Sequence, residues 1–409
     1  MKFYGGKAIA SGSYGCVFYP SIKCKNKNSK SVGVSKLMLK KDAEKEYNDI
    51  LEIRKKVSAI PNYNNYFILA FEKCGPEKLS SQDMENMNEK CKRFLHAKTK
   101  IQDYEIINIP YGGNDIDVYL RGGISIQKFL TLNRSLKTTL VNGVIPMNNL
   151  DIYHLDLKID NFLINDKNQI KIIDWGFTIF HNNKIPNVDS DVEYRSFNFN
   201  SPFSILLFSP LYINLINTYI NQLSSKNKDI TISVLATFIK DIFKKYDDEN
   251  KHYKITNYVI KSIIDELNLE FTSEDIIFNY LASCVYKYMK NDNKGLYFDE
   301  VSLFNEVFLK NCDIFGSLTI YFSLMEYVQY HSQIFDFKNE DTKKMFKKDL
   351  CKILYNHLLK DGTSIINIQS FFNDMNKLKL HFKPKKSVTK SVTKRNIKHF
   401  KKNTRKIIN

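Results

Sequence analysis

Two clusters of polar side chains at the ends of a short predicted hairpin constrain this chain more than any other feature. At 154–161 the sequence reads His-Leu-Asp-Leu-Lys-Ile-Asp-Asn. Two β-rich runs follow, Phe162-Leu163-Ile164 and Ile170-Lys171-Ile172-Ile173, separated by the polar stretch Asn165-Asp166-Lys167-Asn168-Gln169. That pattern reads as a β-hairpin. Asp174-Trp175-Gly176 then stands at its far end.

On either side of this hairpin the chain changes character. The first hundred residues hold short β-branched runs broken by turn residues: Ala8-Ile9-Ala10, Cys16-Val17-Phe18-Tyr19 and Val32-Gly33-Val34. Lys25 to Lys30 reads as a polar loop. Asp42 to Val57 reads as a helix with Tyr47, Ile50, Leu51 and Ile53 near one face. Phe71 to Phe94 turns polar and suggests an excursion. Ile106 to Ile109 returns to strand character and ends at Pro110-Tyr111-Gly112-Gly113, a hinge pattern, and Ile126 to Val144 has helical spacing. From about Phe203 onward the sequence looks helical without strand punctuation. Strands first and helices afterwards predict an α+β architecture with two unequal lobes.

Composition bounds the rest. The net charge is +17, but eleven Lys and Arg and no acids lie beyond residue 382, so the basic excess mainly describes a tail. That tail, from Lys383, reads as flexible, solvated chain, or as an electrostatic contact for nucleic acid or acidic protein. The seven cysteines (16, 24, 74, 91, 284, 312, 351) show no C-x-x-C spacing, which predicts reduced thiols and neither a disulfide framework nor structural zinc. No apolar run reaches the roughly 18 residues of a membrane helix. With no apolar leader, the expectation is a soluble, unsecreted, cytoplasmic protein.

The 154–161 and 174–176 motifs resemble the catalytic loop H-R-D-L-K-x-x-N and the metal-binding D-F-G turn of the eukaryotic-type protein kinase superfamily. The resemblance implies a bilobal fold, a β-rich N-lobe over a mainly helical C-lobe, and transfer of the γ-phosphate of ATP to a protein hydroxyl. Asp156 would orient that hydroxyl and take its proton, and Lys158 would neutralise the transferring group. Asn161 and Asp174 would offer hard oxygen ligands to Mg²⁺ or Mn²⁺. Ala10-Ser11-Gly12-Ser13-Tyr14-Gly15-Cys16-Val17 resembles the phosphate-covering loop G-x-G-x-x-G-x-V, with Ala10 where its first glycine belongs. Val34-Ser35-Lys36 resembles the V-A-x-K strand, so Lys36 should contact the nucleotide phosphates, with Glu46 fitting better than Glu44 as its partner. Ile109 would line the back of the adenine pocket.

The departures from the family pattern are specific. Leu155 replaces the arginine of H-R-D, which argues against activation through a phosphate on Ser190, Tyr194, Ser196 or Ser201. Trp175 replaces the phenylalanine of D-F-G. No A-P-E follows; Asn200-Ser201-Pro202-Phe203 is nearest and lacks the glutamate. Asp313-Ile314-Phe315-Gly316 resembles the helix that in the family braces the catalytic loop, which makes 203–312 a mainly helical insertion, with 110–202 before it and 313–382 after it belonging to the C-lobe. With the AT-rich coding bias, the set is similar to divergent serine/threonine kinases of large DNA viruses, mimivirus-like ones in particular, placing the protein in a host cytoplasm or a virion. The presence of Lys36, Asp156, Lys158, Asn161 and Asp174 favours an active enzyme; Ala10, Leu155 and the absent A-P-E support a pseudokinase scaffold. A small-molecule phosphotransferase is the third reading.

Overall fold

A computed structural model describes residues 6–11, 15–25, 33–91, 101–181, 199–246, 254–293 and 295–384. Gly12, Ser13 and Tyr14, the stretch holding Ser190, Tyr194 and Ser196, and the tail beyond residue 384 lie outside these residues. The architecture is mixed α+β, with a small antiparallel sheet and a larger helical part. No described helix is long and apolar enough to cross a membrane.

The first hundred residues build a five-stranded sheet. Its strands are β1 (Lys7–Ser11), β2 (Cys16–Tyr19), β3 (Val34–Leu39), β4 (Glu72–Cys74) and β5 (Tyr104–Ile109), in the order β1-β2-β3-β5-β4. Strand periodicity gives the sheet two different faces. On one, Lys36 lies opposite both Val17 and Ile107, and Val34 lies opposite Ile109. The helix α1 (Lys40–Val57) serves this face, burying Ala43, Glu46, Ile50, Ile53 and Val57 at the three- and four-residue spacing of one helical side.

The other face carries Ala8, Cys16, Phe18, Leu37 and Ile106, which form a second, separate core with Leu79, Met87 and Cys91. The polar stretch after Phe71 is therefore more than an excursion. It supplies the edge strand β4 and the helix α2 (Ser81–Lys90), whose Met87 joins that core. The expectation of dispersed, reduced thiols also fails here. Cys16 pairs with Cys91 and Cys24 with Cys74 as disulfides, across 75 and 50 residues, with Cα atoms 5.8 and 5.6 Å apart. The packing of α2 against β1 brings Cys91 to Cys16, and a bridge between Cys24 and Pro76 lays Cys24 beside β4; sequence spacing reveals neither. Cys284, Cys312 and Cys351 stay free and buried; burial pushes the Cys351 thiol up to about 12.

After β5 the chain passes through Gly113, at φ 108°, where a Cβ would meet the Ile164 carbonyl oxygen at 2.1 Å. It continues through β6 (Asn114–Asp115), α3 (Ile116–Arg121) and α4 (Ile126–Thr139). The predicted helix over 126–144 runs further, through a π-helical turn at Leu140–Val144 into α5 (Ile145–Asn148). Next come β7 (Ile152–Tyr153), the hairpin of β8 (Phe162–Ile164) and β9 (Ile170–Ile172), and β10 (Ile179–Phe180), which pairs back onto β7. The predicted hairpin is thus present.

The region after 203 is largely helical, with helices at Pro210–Ser225, Ile232–Tyr246, Lys254–Leu267 and Ser273–Lys287. Strand pairing is not absent from it, because Met289–Asp292 and Gly295–Phe298 form a hairpin. The segment shares the main core. Tyr212 stacks on Phe243 at 4.2 Å, and Phe203 packs on both Tyr280 and Phe315. The boundary expected at 312/313 falls inside the continuous helix Leu309–Leu318.

That helix touches the 154–161 loop where there is no room for a side chain. A Cβ on Gly316 would lie 2.3 Å from the Leu157 carbonyl oxygen and 2.5 Å from that of Asn200. Gly316→Ala must therefore move backbone, and it is expected to cost about 1–3 kcal/mol by the usual scale of overpacking. Urea unfolding would read this as a lowered midpoint at constant slope; an unchanged midpoint would show that the helix can withdraw freely.

Candidate functional site

The site is assembled from stretches that lie far apart along the chain. Lys36 on β3 points to α1, where its Nζ lies 2.8 Å from both Oε1 and Oε2 of Glu46. The same Nζ reaches Asp174 Oδ1 at 3.4 Å, a contact across 138 residues. Glu44 instead pairs with Lys73 on β4, so the helix face decides between the two glutamates in favour of Glu46.

Asp174 is held by the segment between α1 and β4. The Ile68 amide donates to the Ile172 carbonyl and the Ile172 amide to the Tyr66 carbonyl, which joins the end of the hairpin to the sheet unit. Trp175 completes the junction. Its ring is buried edge-on against Phe67 and tilted against His154, and its Nε1 donates to the Ile68 carbonyl at 2.9 Å. Asp174 itself takes φ 66°, and its side chain is 45% exposed.

The 154–161 loop is fastened from beneath by Asp313, which is fully buried in the helix Leu309–Leu318. Its Oδ2 accepts from the His154 amide at 2.9 Å and from Asn148 Nδ2 at 2.7 Å, and its Oδ1 accepts from the Leu155 amide at 2.9 Å. Leu155 sits at φ 57°, a left-handed conformation unfavourable to leucine by roughly 1–2 kcal/mol. Hydrogen bonds to a charged group are worth about 1.5–3 kcal/mol each, enough to hold it there. Leu155 is itself buried, so the position expected of an arginine faces the core.

Asp156 lies at the centre of the loop, buried, with Asn161, Lys158 and Asn200 among the neighbours of its carboxylate. Asn161 Nδ2 donates to Oδ2 at 3.1 Å and to the Asp156 carbonyl at 2.7 Å, and Lys158 Nζ is 3.1 Å from Oδ2. Asn200 Nδ2 donates to Oδ1 at 2.7 Å. Asn200 is buried, and in the sequence it stands out only as the first residue of Asn200-Ser201-Pro202-Phe203, the stretch nearest to A-P-E. Its polar type beside Ser201-Pro202 is the one signal that could have pointed to it.

At the start of the stretch that resembles a phosphate-covering loop, Ala10 and Ser11 end β1, opposite Val17 and Cys16, after an irregular register step between Ala8 and Ala10. Gly15 is buried against β3, and a Cβ there would meet the Leu37 carbonyl oxygen at 2.8 Å. Ile109 is on the Lys36 face of the sheet, at the end of β5 and partly buried.

The electrostatics follow from this packing. Burial works against the charge of Lys36, but Glu46 and Asp174 outweigh it and leave its pKa raised. Burial, with smaller contributions from Asp174 and Asp49, leaves the Glu46 carboxyl raised despite the pull of Lys36. Burial also raises Asp174, yet Lys36, then His154 and Lys158, more than reverse this and hold it below its ordinary 3.8. Asp174 therefore stays ionised at neutral pH and protonates only as the pH falls through that depressed value.

This arrangement has the donor set for a hard divalent cation in Asp174 and Asn161: an ionised carboxylate, and an amide whose nitrogen is already committed to Asp156. The sequence matches no protein-family model, and no curated protein matches it.

Lys36→Met removes the nearest cation from Asp174 and should raise its titration midpoint. A ¹³C-carboxylate NMR titration would show the Asp174 resonance moving to a higher midpoint in the variant. An unmoved midpoint would mean that Lys36 does not set this charge.

Proposed function

We propose that the protein is an ATP-dependent protein kinase that transfers the γ-phosphate of Mg-ATP to serine or threonine hydroxyls. The observation that carries this reading is the Lys36 ammonium lying between Glu46 and Asp174, with the Asp156 loop braced on the same side of the sheet unit. A half-buried lysine tied to a helix glutamate is a fixed positive charge for nucleotide phosphates. The bilobal kinase fold belongs to the same proposal: the five-stranded sheet and α1 as N-lobe, the helical remainder as C-lobe.

In this reading the reaction proceeds by positioning and charge neutralisation. Gly15 and the end of β1 lie over the phosphates, Lys36 contacts them, and Ile109 lines the adenine side. Magnesium, held by Asn161 and Asp174, would supply neutralising charge to the phosphate oxygens. Asp156 orients the acceptor hydroxyl and takes its proton. Asn161 and Asn200 fix the rotamer of that carboxylate from two directions, and Lys158 carries the charge beside it. Leu155 removes the arginine that would read a phosphorylated activation segment, so activation by that route is not part of the proposal. The protein substrate presents its hydroxyl near Asp156, and the basic tail adds a contact for acidic partners.

The test is transfer from γ-labelled ATP with Mg²⁺ to a mixture of basic and acidic proteins, with wild type beside Asp156→Asn and Asp174→Asn. Label on serine or threonine that both variants abolish is the expected result. Equal background in all three, with Mg-ATP binding shown independently, would favour the pseudokinase scaffold, which Ala10 and Leu155 support.

Asn200 gives a second expectation. Asn200→Ala frees one side of the Asp156 carboxylate, and turnover should fall by up to about 10²-fold, the scale of a small misplacement, while KM for ATP changes little. A proportionate rise in KM for ATP would place Asn200 in nucleotide binding instead.

A further inference from the structure

The back face of the sheet, away from Lys36, carries a second polar constellation that the proposed reaction does not use. Glu72 and Cys74 are two apart on the edge strand β4, so both side chains leave the same face. Cys24, in the chain after β2, lies over them, held by backbone bonds from Lys25 to Gly75 and from Glu77 to Lys23. The two Sγ atoms and a Glu72 carboxylate oxygen lie within 4.8 Å of one another, and Cys24 Sγ is 3.1 Å from Glu72 Oε2.

A fourth residue orients this group. Asn108, opposite Glu72 in the β4–β5 ladder and buried, has Nδ2 3.1 Å from Glu72 Oε2 and 3.5 Å from Cys24 Sγ. Its amide cannot be reversed without loss. The Ser35 hydroxyl accepts from the Ile22 amide at 2.8 Å, and its own proton is best directed to Asn108 Oδ1 at 2.6 Å. The NH₂ end of Asn108 therefore faces the carboxylate and the sulfur, favouring their anionic forms.

We propose that, in the reduced protein, Cys24, Cys74 and Glu72 bind a thiophilic divalent cation of the zinc class, with Asn108 and Ser35 as its orienting partners. Two thiolates and one carboxylate make a three-ligand set with a fourth position for water. Soft sulfur ligands select against Mg²⁺ and Ca²⁺, so this cation is distinct from the one proposed for Asn161 and Asp174. The Cα separation of 5.6 Å serves the disulfide as it stands. A dithiol or phosphine reductant, giving two electrons and with two protons taken up, breaks the S–S bond and frees both sulfurs to turn toward the carboxylate. Binding would join β4 and the chain after β2 through one atom, with Asn108 of β5 orienting the carboxylate. It requires the thiols to lose their protons, so affinity should fall as the pH is lowered.

The test uses the full chain, reduced with a phosphine and stripped with a chelator, titrated with Zn²⁺ against a chromogenic competitor while reactive thiols are counted. One equivalent of zinc that protects two thiols is the expected result. Cys24→Ser and Cys74→Ser should abolish it, Cys16→Ser should retain it, and Glu72→Gln should weaken it about tenfold or more. Absence of stoichiometric binding, or equal binding by Cys24→Ser, would overturn the proposal and leave a disulfide alone. If the cysteine variants do not fold, the near-isosteric Glu72→Gln decides, since unchanged affinity there is equally fatal. None of these readouts involves phosphate transfer, so the site stands or falls apart from the kinase reading.

Discussion

The rest of the site depends on one buried carboxylate. Asp313 has no contact with solvent and accepts from two successive backbone amides and one side-chain amide. A charge in that position is tolerable only when its oxygens are hydrogen-bonded, and those same bonds hold a leucine in left-handed backbone. One helical turn later Gly316 lets the carbonyls of Leu157 and Asn200 approach the helix. Positions 313 and 316 thus form one surface, on which both the Asp156 loop and the segment bearing Asn200 rest. The geometry around Asp156 is inherited from that surface.

A second constraint acts from above. Lys36 is largely shielded from solvent, and two carboxylates from different parts of the chain meet it and stabilise its charge. Glu46 arrives on α1 and Asp174 at the end of the hairpin. The ion pair therefore reports whether the sheet unit and the hairpin are correctly joined, and Trp175 supplies the apolar part of that joint with its indole N–H satisfied.

Much of this was legible in the sequence for a common reason. The hairpin, α1 and the strand character of 106–109 are local patterns, in which side-chain periodicity and the element coincide. Glu46 was separable from Glu44 because two residues along a helix are about 200° apart around its axis. What sequence could not show was nonlocal. Nothing near Cys16 announces Cys91, and β4 is only three residues long, recognisable as a strand because β5 lies beside it. The polar composition of 71–94 concealed a helix whose few apolar residues complete a core supplied mostly by the sheet. Asn200 escaped because its role is defined by one hydrogen bond across 44 residues. Asp313 was suggested by its Asp-Ile-Phe-Gly context, while its three partners belong to the fold.

The distance along the chain between Asp313 and its partners bears on the order of assembly. The His154 amide is 159 residues from the carboxylate that satisfies it. Closing a loop costs free energy that grows only logarithmically, about 0.6 kcal/mol per doubling, so the intervening helices add little to the equilibrium cost. They matter in time. During synthesis at roughly 5–20 residues per second, the hairpin and its neighbours leave the ribosome many seconds before residue 313 does. Through that interval Leu155 lacks the acceptor that keeps it left-handed, and the 154–161 loop has no reason to hold its final shape. The sheet unit can mature early, whereas the geometry around Asp156 belongs to the nearly complete chain.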